Sequence, residues 1–297
     1  MPEVPLLDRD NVALVLLLQP KHYTRSIDAA VCIANTHLLF NPRRGDIKLA
    51  QLMILFAAID KLVYKESKTS SELVYHPVVL CGDFNMEPFS NLYNFVRGGS
   101  LVCDGTVIRK LSGQESEESR GPSKCLDPEF LGKAAGITDH CQYLDIAQER
   151  LQRALEARPK STMESTASFS SETVEDMPPV SREHLSQGSG RITHRLGLRS
   201  VYDHIRRSSK TDRDELEVTT YHGSACCTVD YIFYSSAGKR EKKKKRAGVQ
   251  HSGGSHLELM SRLRLLSCSE IKQVGKLPNE LNASDHTILM AKFSFKL

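Results

Sequence analysis

Apolar runs of strand length, each followed at once by polar residues, constrain this sequence most. Residues 12–18, 29–39 and 77–81 are rich in Val, Leu, Ile and Ala. The first run is continuously apolar, which is typical of a strand buried on both faces. Apolar residues then recur at helical spacing over 49–63, and we expect Asp46 to cap that helix. Strands that alternate with a helix predict an α/β fold.

The second half of the chain continues this pattern after an interruption. Further strands are predicted over 217–221, 228–234, 257–266 and 287–295. Between the two halves, residues 113–196 are dominated by Ser, Glu, Arg, Pro and Gly. We expect this insertion to be largely disordered, most clearly over 158–190, because too few apolar residues are available there to offset the entropy of ordering.

The net charge of +4 is concentrated in one place. Residues 239–246 hold seven basic side chains and one acidic side chain, so the remainder of the chain is close to neutral. We expect a basic loop at about 237–255, inserted between strands, that is solvated, contacts RNA backbone or acts as a nuclear-import signal. The chain is therefore expected in the cytoplasm, with the nucleus as a second location.

The eight cysteines show no zinc-type pairing, and most of them stand in apolar runs, where a free thiol behaves as a small apolar group. The longest apolar run is too short to span a bilayer, so no membrane partner is expected. A reducing compartment is the simplest interpretation. A serine esterase is disfavoured because the sequence has no Gly-x-Ser-x-Gly elbow.

Four polar clusters at predicted strand ends carry the candidate chemistry. Ionised carboxylates can bind a cation or activate water, an amide can orient that water, and an imidazole can face a phosphate. Each cluster alone could instead be a turn, a helix cap or a simple ion pair, but four in this order favour a phosphate-ester hydrolase. The candidate side chains are His37, Asp83, Asn85, Asp230, Asp285 and His286.

The order of the clusters resembles the endonuclease/exonuclease/phosphatase superfamily. Its motifs Asn-Thr-His, Gly-Asp-Phe-Asn, Val-Asp-Tyr-Ile-Phe and Ser-Asp-His stand here at residues 35–37, 82–85, 229–233 and 284–286. Within that superfamily the chain is similar to the Angel proteins, relatives of nocturnin and of the catabolite-repression deadenylases. The similarity extends over most of the chain outside 114–196, with further matching segments at 7–12, 41–46, 112–115, 218–220 and 275–279.

The resemblance implies a four-layer α-β-β-α sandwich with its site at the strand ends. By position, Asp83 would engage the attacking water, and Asn85 would orient that water or the phosphate. His37 would contact the scissile phosphate, and Asp230 would support both a metal and a histidine. The resemblance also implies that Asp285 and His286 complete the phosphate-binding side and that Asp83, Asp230 and Asp285 bind Mg²⁺.

Two departures from the family pattern affect these expectations. The family's domain opens with a strand bearing an Asn and with a Gln-Glu pair whose Glu is the principal Mg²⁺ ligand, and neither precedes Val12. We therefore expect an N-terminally truncated isoform or an incomplete gene model, with a sandwich incomplete at its N-terminus. Ala225 stands where the related deadenylases place an aromatic that stacks on adenine, so poly(A) preference should be weak.

The resulting prediction is a single domain over residues 1–297 that acts as an Mg²⁺-dependent phosphoesterase on RNA 3′ ends. Two activities fit: 3′→5′ exoribonuclease, and hydrolysis of terminal 2′,3′-cyclic phosphates, which the missing aromatic favours. The alternative is a non-catalytic RNA-binding or regulatory isoform, because the metal-ligand Glu is absent. Partners in mRNA processing stay unidentified at this point.

Overall fold

The computed structural model describes residues 5–21, 29–65, 74–115, 124–156, 185–207, 214–223, 225–235 and 256–296. Its strands alternate with four α-helices, and the predicted α/β class is confirmed. The helices are α1 Gly45–Val63, α2 Asn91–Gly98, α3 Leu144–Glu156 and α4 Cys268–Val274. The strands are β1 Ala13–Leu18, β2 Val31–His37, β3 Tyr64–Lys65, β4 Val74–Tyr75, β5 Val78–Asp83, β6 Ser100–Val102, β7 Arg191–Thr193, β8 Leu198–Ser200, β9 Ile205–Arg207, β10 Asp214–Val218, β11 Thr220–His222, β12 Ala225–Cys227, β13 Asp230–Ser235, β14 His256–Arg262, β15 Leu266–Ser267 and β16 Ala291–Lys296.

A five-stranded sheet in the order β1-β2-β5-β13-β8 is the centre of the fold. β2 and β5 are parallel, and the other neighbours are antiparallel. Gly82 of β5 has a φ of +142°, and a Cβ added there would lie 1.9 Å from the carbonyl oxygen of Thr36. Because a side chain at this position would collide with backbone, the close pairing of β2 with β5 requires a glycine.

The two faces of this sheet differ in how they are covered. One face packs with α1 and α2 in the main core, where Phe56, Phe84, Phe95, Tyr231 and Phe233 are almost fully buried. Part of the opposite face packs against the antiparallel pair β14–β16. Helices thus cover one face of the sheet and a second, small sheet covers part of the other. The last residues of β2 and β5 and the first residue of β13 lie at the same end of the strands.

The prediction that residues 12–18 form a strand buried on both faces is wrong for the described part of the chain. β1 is the edge strand of the sheet, and only one of its faces meets the core, through Val15. Leu14, Leu16 and Leu18 point to the other face and are 57%, 41% and 46% exposed. A run of apolar residues indicates that burial of the strand would be favourable, but it does not identify the element that covers each face.

Helix α1 begins two residues earlier than the predicted helix, at Gly45, and ends at the same residue, Val63. Asp46 does not cap it: the residue at the cap position is Arg44, which makes no side-chain capping bond, and Asp46 lies inside the first turn. There its carboxylate accepts hydrogen bonds of 2.9 and 2.8 Å from the Arg44 guanidinium. The acidic side chain still favours the helix through the partial positive charge of the N-terminus.

Part of the predicted disordered insertion is folded. Residues 124–156 and 185–196 contain α3 and β7, and α3 is attached to α1 by an ion pair in which Arg150 Nη1 lies 2.5 Å from Asp60 Oδ2. The same carboxylate accepts a hydrogen bond of 2.9 Å from the hydroxyl of Tyr75. A buried Asp that has both partners can hold a helix in place even where few apolar side chains are available.

Several predictions fall on residues outside the described ranges. The lysine-rich segment 239–246 and nearly all of 158–190 are among them. The basic segment does lie between two strands in chain order, β13 and β14.

All eight cysteines are free thiols, and Cys32, Cys103 and Cys141 are buried. Burial raises the pKa of Cys32 to about 12 and that of Cys103 to about 11, so these two thiols stay protonated and serve as packing groups. Among the described residues, no helix is both long and apolar enough to cross a membrane.

The exposed face of β1 generates the first testable prediction. Leu14 and Leu16 present apolar side chains on an unpaired edge strand, which favours association between chains. The double substitution Leu14→Lys with Leu16→Lys should reduce self-association, measured by sedimentation velocity, and leave the melting temperature nearly unchanged. Val15→Lys is the matched control: it places the same charge on the core side of the same strand and should lower the melting temperature. Equal effects of the two changes would contradict the assigned faces.

A second prediction concerns acid stability. Burial lowers the pKa of both His194 and His204 from 6.5 to about 4, so both rings are neutral in the folded protein. Their unfolded forms take up a proton as the pH falls through 6.5, and stability is therefore lost between about pH 6.5 and pH 4. From pH 7 to pH 5 each ring should remove about 2 kcal/mol of unfolding free energy, measured from urea midpoints. His194→Gln should remove about half of this pH dependence, and an unchanged slope would refute the assignment.

Candidate active site

Three neighbouring strands bring three of the predicted side chains into one row. In the parallel pair β2–β5, His37 is opposite Asp83, and in the antiparallel pair β5–β13, Asp83 is opposite Asp230. Side chains of directly opposed residues share a face of a sheet and lie about 5 Å apart at Cβ. The register alone therefore places an imidazole and two carboxylates side by side, with Nε2 of His37 at 3.4 Å from Oδ2 of Asp83.

His286 joins this row from the segment that precedes β16. An isolated bridge pairs it with Thr220 at the start of β11, and its Nδ1 lies 2.7 Å from Oδ2 of Asp230. The hydrogen bond to Asp230 raises the pKa of His286, so the protonated ring is favoured beside this carboxylate. An Asp-His pair of this kind fixes the orientation of the ring and leaves Nε2 available to a ligand.

Asp83, Asp230 and His286 form a group that can hold a metal ion. Each offers one ligand atom, and these atoms lie within 4.8 Å of one another; no fourth His, Cys, Asp or Glu of the described residues joins them. Burial raises the pKa of Asp83, and repulsion from Asp230 contributes in the same direction. A divalent cation between the two carboxylates would remove that repulsion, so Asp83 and Asp230 fit a metal that prefers oxygen ligands.

Asn85 does not point into the row as strand alternation predicts. β5 ends at Asp83, and Asn85 has a φ of +46°, in the left-handed region, which turns the chain away from the extended path. Its side chain is buried, and Nδ2 donates a hydrogen bond of 3.0 Å to the carbonyl oxygen of Leu38. Its backbone N–H donates one of 2.8 Å to Oδ1 of Asp83. In this structure Asn85 braces the neighbouring residues, whereas Phe84 is buried in the core.

Asp285 lies outside the metal-binding group. Its side chain is 52% exposed, and its Oδ2 is 4.0 Å from Nε2 of His286. The contact that ties this residue to the site is made by its backbone, because its carbonyl oxygen accepts a hydrogen bond of 2.8 Å from the hydroxyl of Thr220. His37, in contrast, has a side chain that is 66% exposed beside Asp83, where a ligand can reach it.

Thr219 connects the elements that carry Asp230 and His286, and the sequence analysis did not select it. Its side chain is completely buried, and Oγ1 accepts hydrogen bonds of 3.1 and 3.2 Å from the backbone N–H groups of Val229 and Asp230. Its carbonyl oxygen accepts a hydrogen bond of 2.7 Å from the N–H of Thr287. In the sequence this residue is marked only by the Val-Thr-Thr segment at 218–220, and such a segment is also common in ordinary strands.

Asn11 and Gln51 brace the end of β2 in a comparable way. The side chain of Asn11 donates a hydrogen bond of 3.0 Å to the carbonyl oxygen of His37, and Oε1 of Gln51 accepts one of 2.9 Å from the N–H of Leu39. The two amides are joined by a hydrogen bond of 3.0 Å. They line an open cavity of about 310 Å³ between β1 and α1.

A third prediction tests Thr219 as a support of the site. Thr219→Val keeps the volume but leaves two buried N–H groups without an acceptor, which should cost about 1–3 kcal/mol of unfolding free energy, measured by denaturant titration. The affinity of the group Asp83, Asp230 and His286 for a divalent cation, measured by calorimetry, should fall because Asp230 loses its backbone anchor. Thr219→Ser keeps the hydroxyl and should restore the affinity. Failure of the serine variant to restore it would exclude the hydroxyl as the cause.

Comparison with known proteins gives a consistent set of relatives. Protein angel homolog 2 of Mus musculus is 40% identical in an alignment of 297 positions, which covers 99% of this chain and 49% of the relative. Protein angel homolog 1 of Homo sapiens is 34% identical in an alignment of 329 positions, gaps included, which covers all of this chain and 47% of the relative. The chain thus spans about half the length of these two relatives. No family model matches it.

A solved structure agrees with these sequence matches. The crystal structure of ANGEL2, described as a 2′,3′-cyclic phosphatase, in complex with adenosine-2′,3′-vanadate, superposes with a TM-score of 0.68 at 38% identity. The superposition covers 99% of this chain and 64% of that one. Fold, sequence and motif order agree. The chain belongs to the Angel group of the endonuclease/exonuclease/phosphatase superfamily.

Proposed function

We propose that the site around Asp83, Asp230 and His286 belongs to an Mg²⁺-dependent phosphoesterase that acts on RNA 3′ ends. The observation that carries the proposal is the convergence of two carboxylates and an imidazole, with ligand atoms within 4.8 Å, at adjacent strand ends. Two opposed carboxylates in a partly buried site are unfavourable unless a cation offsets their charge. The chemistry therefore favours a bound divalent metal and a negatively charged substrate.

The positions of His37, Asp83, Asp230 and His286 suggest a separate role for each side chain. Asp83, whose Oδ1 is held by the N–H of Asn85, can hold or deprotonate an attacking water. His37 is exposed beside it and can donate to a phosphate oxygen. His286, held by Asp230, can stabilise the negative charge that develops on the phosphate. Mg²⁺ held by Asp83 and Asp230 would polarise a phosphoryl oxygen and lower the pKa of a water molecule.

The substrate class follows from the relatives and from one residue of this chain. ANGEL2 is described as a 2′,3′-cyclic phosphatase. Ala225, at the position where a stacking aromatic is expected in deadenylases, offers no ring for an adenine. Both points favour hydrolysis of a terminal 2′,3′-cyclic phosphate over stepwise removal of poly(A).

Non-catalytic RNA binding is the second candidate. In the described residues two carboxylates, Asp83 and Asp230, offer oxygen ligands, and Mg²⁺ prefers near-ideal octahedral geometry. If these two carboxylates hold the cation too weakly, the chain would bind RNA without hydrolysing it. An assay of RNA binding beside turnover, with Mg²⁺ and with a chelator, distinguishes the two candidates.

The fourth prediction tests the role of Asp83. On an RNA that ends in a 2′,3′-cyclic phosphate, Asp83→Asn should lower kcat by about 100-fold or more, because an amide cannot accept the proton of the attacking water. The melting temperature should stay the same or rise, because repulsion with Asp230 is removed. Asp203→Asn changes a carboxylate on the surface and should alter neither quantity. A parallel loss of melting temperature and activity in Asp83→Asn would indicate a structural role instead.

The same assay decides the substrate. A poly(A) oligomer with a free 3′ hydroxyl should be degraded more slowly than the cyclic phosphate is opened. Faster degradation of poly(A) would exclude the cyclic-phosphatase proposal in favour of an exoribonuclease. Asp285→Asn adds a separate comparison. A small change in kcat would agree with the exposed position of Asp285, and a large decrease would indicate that this residue takes part in catalysis.

A further inference from the structure

Lys48, in the first turns of α1, is completely buried although it carries an ammonium group. Its Nζ donates hydrogen bonds of 2.5 Å to the carbonyl oxygen of Asn85 and 2.6 Å to Oε1 of Gln114. Burial lowers the pKa of this lysine to about 7, because a cation is unfavourable away from water. The two short contacts are what hold the ammonium there.

The first contact adds a buried charged donor to the hydrogen bonds that Asn85 makes with Asp83 and Leu38 at this turn. Asn85 is in the left-handed region, so its carbonyl oxygen is turned out of the ladder that pairs β5 with its neighbours. The Lys48 ammonium supplies the donor that this buried oxygen needs. The N–H of the same residue holds Oδ1 of Asp83 at 2.8 Å. The conformation of Asn85 therefore connects Lys48 with the orientation of the Asp83 carboxylate.

The second contact brings in another segment of the chain. The carbonyl oxygen of Ser112 accepts a hydrogen bond of 2.7 Å from the N–H of Glu87, and its hydroxyl donates one of 3.2 Å to the carbonyl oxygen of Pro42. Residues 112–115 thus lie against the turn that follows β5. Through Gln114, Lys48 joins this segment to α1 and to that turn.

We propose that Lys48 is a positioning residue of the phosphoesterase site: its buried ammonium holds the turn at Asn85 so that Asp83 faces Asp230 and His286. This inference rests on the proposed function of the site. Lys48 itself contacts neither carboxylate by hydrogen bond in the described structure, so it acts through the Asn85 turn. A residue that orients ligands in this way influences metal affinity and rate by about 10- to 100-fold.

The test uses Lys48→Met, which keeps the length of the side chain and removes its donors, with Lys61→Met as the matched control. Lys61 stands on the same helix and is exposed. Lys48→Met should lower kcat by about 10- to 100-fold with KM changed by less than about twofold, and Mg²⁺ affinity by calorimetry should weaken by a similar factor. Lys61→Met should leave all three quantities unchanged.

The direction of the change in Mg²⁺ affinity separates positioning from charge. Loss of a positive charge near two carboxylates would by itself tighten Mg²⁺ binding. Weaker binding therefore supports displacement of Asp83, and tighter binding overturns the proposal. A lower melting temperature with unchanged kcat, KM and Mg²⁺ affinity would also overturn it, because that result describes a purely structural lysine.

Two further arms keep the outcome decisive. If Lys48→Met does not fold, Gln114→Ala removes the second contact at a half-buried position and should lower kcat and Mg²⁺ affinity in the same direction by a smaller factor. Unchanged values in Gln114→Ala would then overturn the proposal. If the unaltered chain binds Mg²⁺ but hydrolyses no RNA, the proposed function fails, while the calorimetric comparison still decides the role of Lys48.

Discussion

The pairing of β5 with β13 is the constraint on which the site depends. It places Asp83 opposite Asp230, an arrangement that like charges oppose. The pairing is held from the other face, where Phe84, Tyr231 and Phe233 pack together and the rings of Tyr231 and Phe233 stack at 5.2 Å. Because side chains alternate along a strand, a slip of one residue would bury a carboxylate and expose an aromatic ring. The core and the site thus specify the same register.

Hydrogen bonds from polar side chains fix the backbone around the residues that this register brings together. Thr219 holds the start of β13, Asn11 holds the end of β2, and Lys48 holds the turn after β5. Each of these side chains binds a backbone group: the N–H of Asp230, the carbonyl oxygen of His37 and the carbonyl oxygen of Asn85. The pair formed by Asp60 and Arg150 is different, because it joins α1 to α3 on the helical side of the sheet. Buried charge is therefore used in this molecule both for the site and for attaching part of the insertion.

The strands, the long helix and the row of His37, Asp83 and Asp230 could be predicted because each depends on local pattern. An apolar run followed by a polar cluster identifies a strand end, and the parallel pair β2–β5 brings His37 and Asp83 together, while Asp230 joins them as the first residue of the antiparallel β13. The direction of the Asn85 side chain could not be predicted, because one positive φ at this residue ends the alternation of side chains along the strand.

Other features depend on partners that are distant in sequence. Lys48 stands in a helix, where a lysine is ordinarily exposed to solvent, and only the fold shows that this position is buried with two acceptors beside it. The exposure of β1 likewise depends on which elements reach it. The family resemblance, in contrast, could be recognised from motif order alone, since order along the chain survives differences in loop length.

The register of β5 and β13 also has a kinetic consequence. The hydrogen bond from Tyr231 to the carbonyl oxygen of Met86, beside this pairing, joins residues 145 positions apart in sequence. A contact between residues so far apart in sequence requires the closure of a large loop. The entropy lost on closure precedes the favourable packing energy, so such contacts form late in folding. The cost of closure grows only with the logarithm of loop length, by about 0.6 kcal/mol for each doubling. The segments between the two strands can therefore lengthen or shorten with little effect on the stability of the β5–β13 pairing. The rate at which this pairing forms depends on the closure of the loop between the strands.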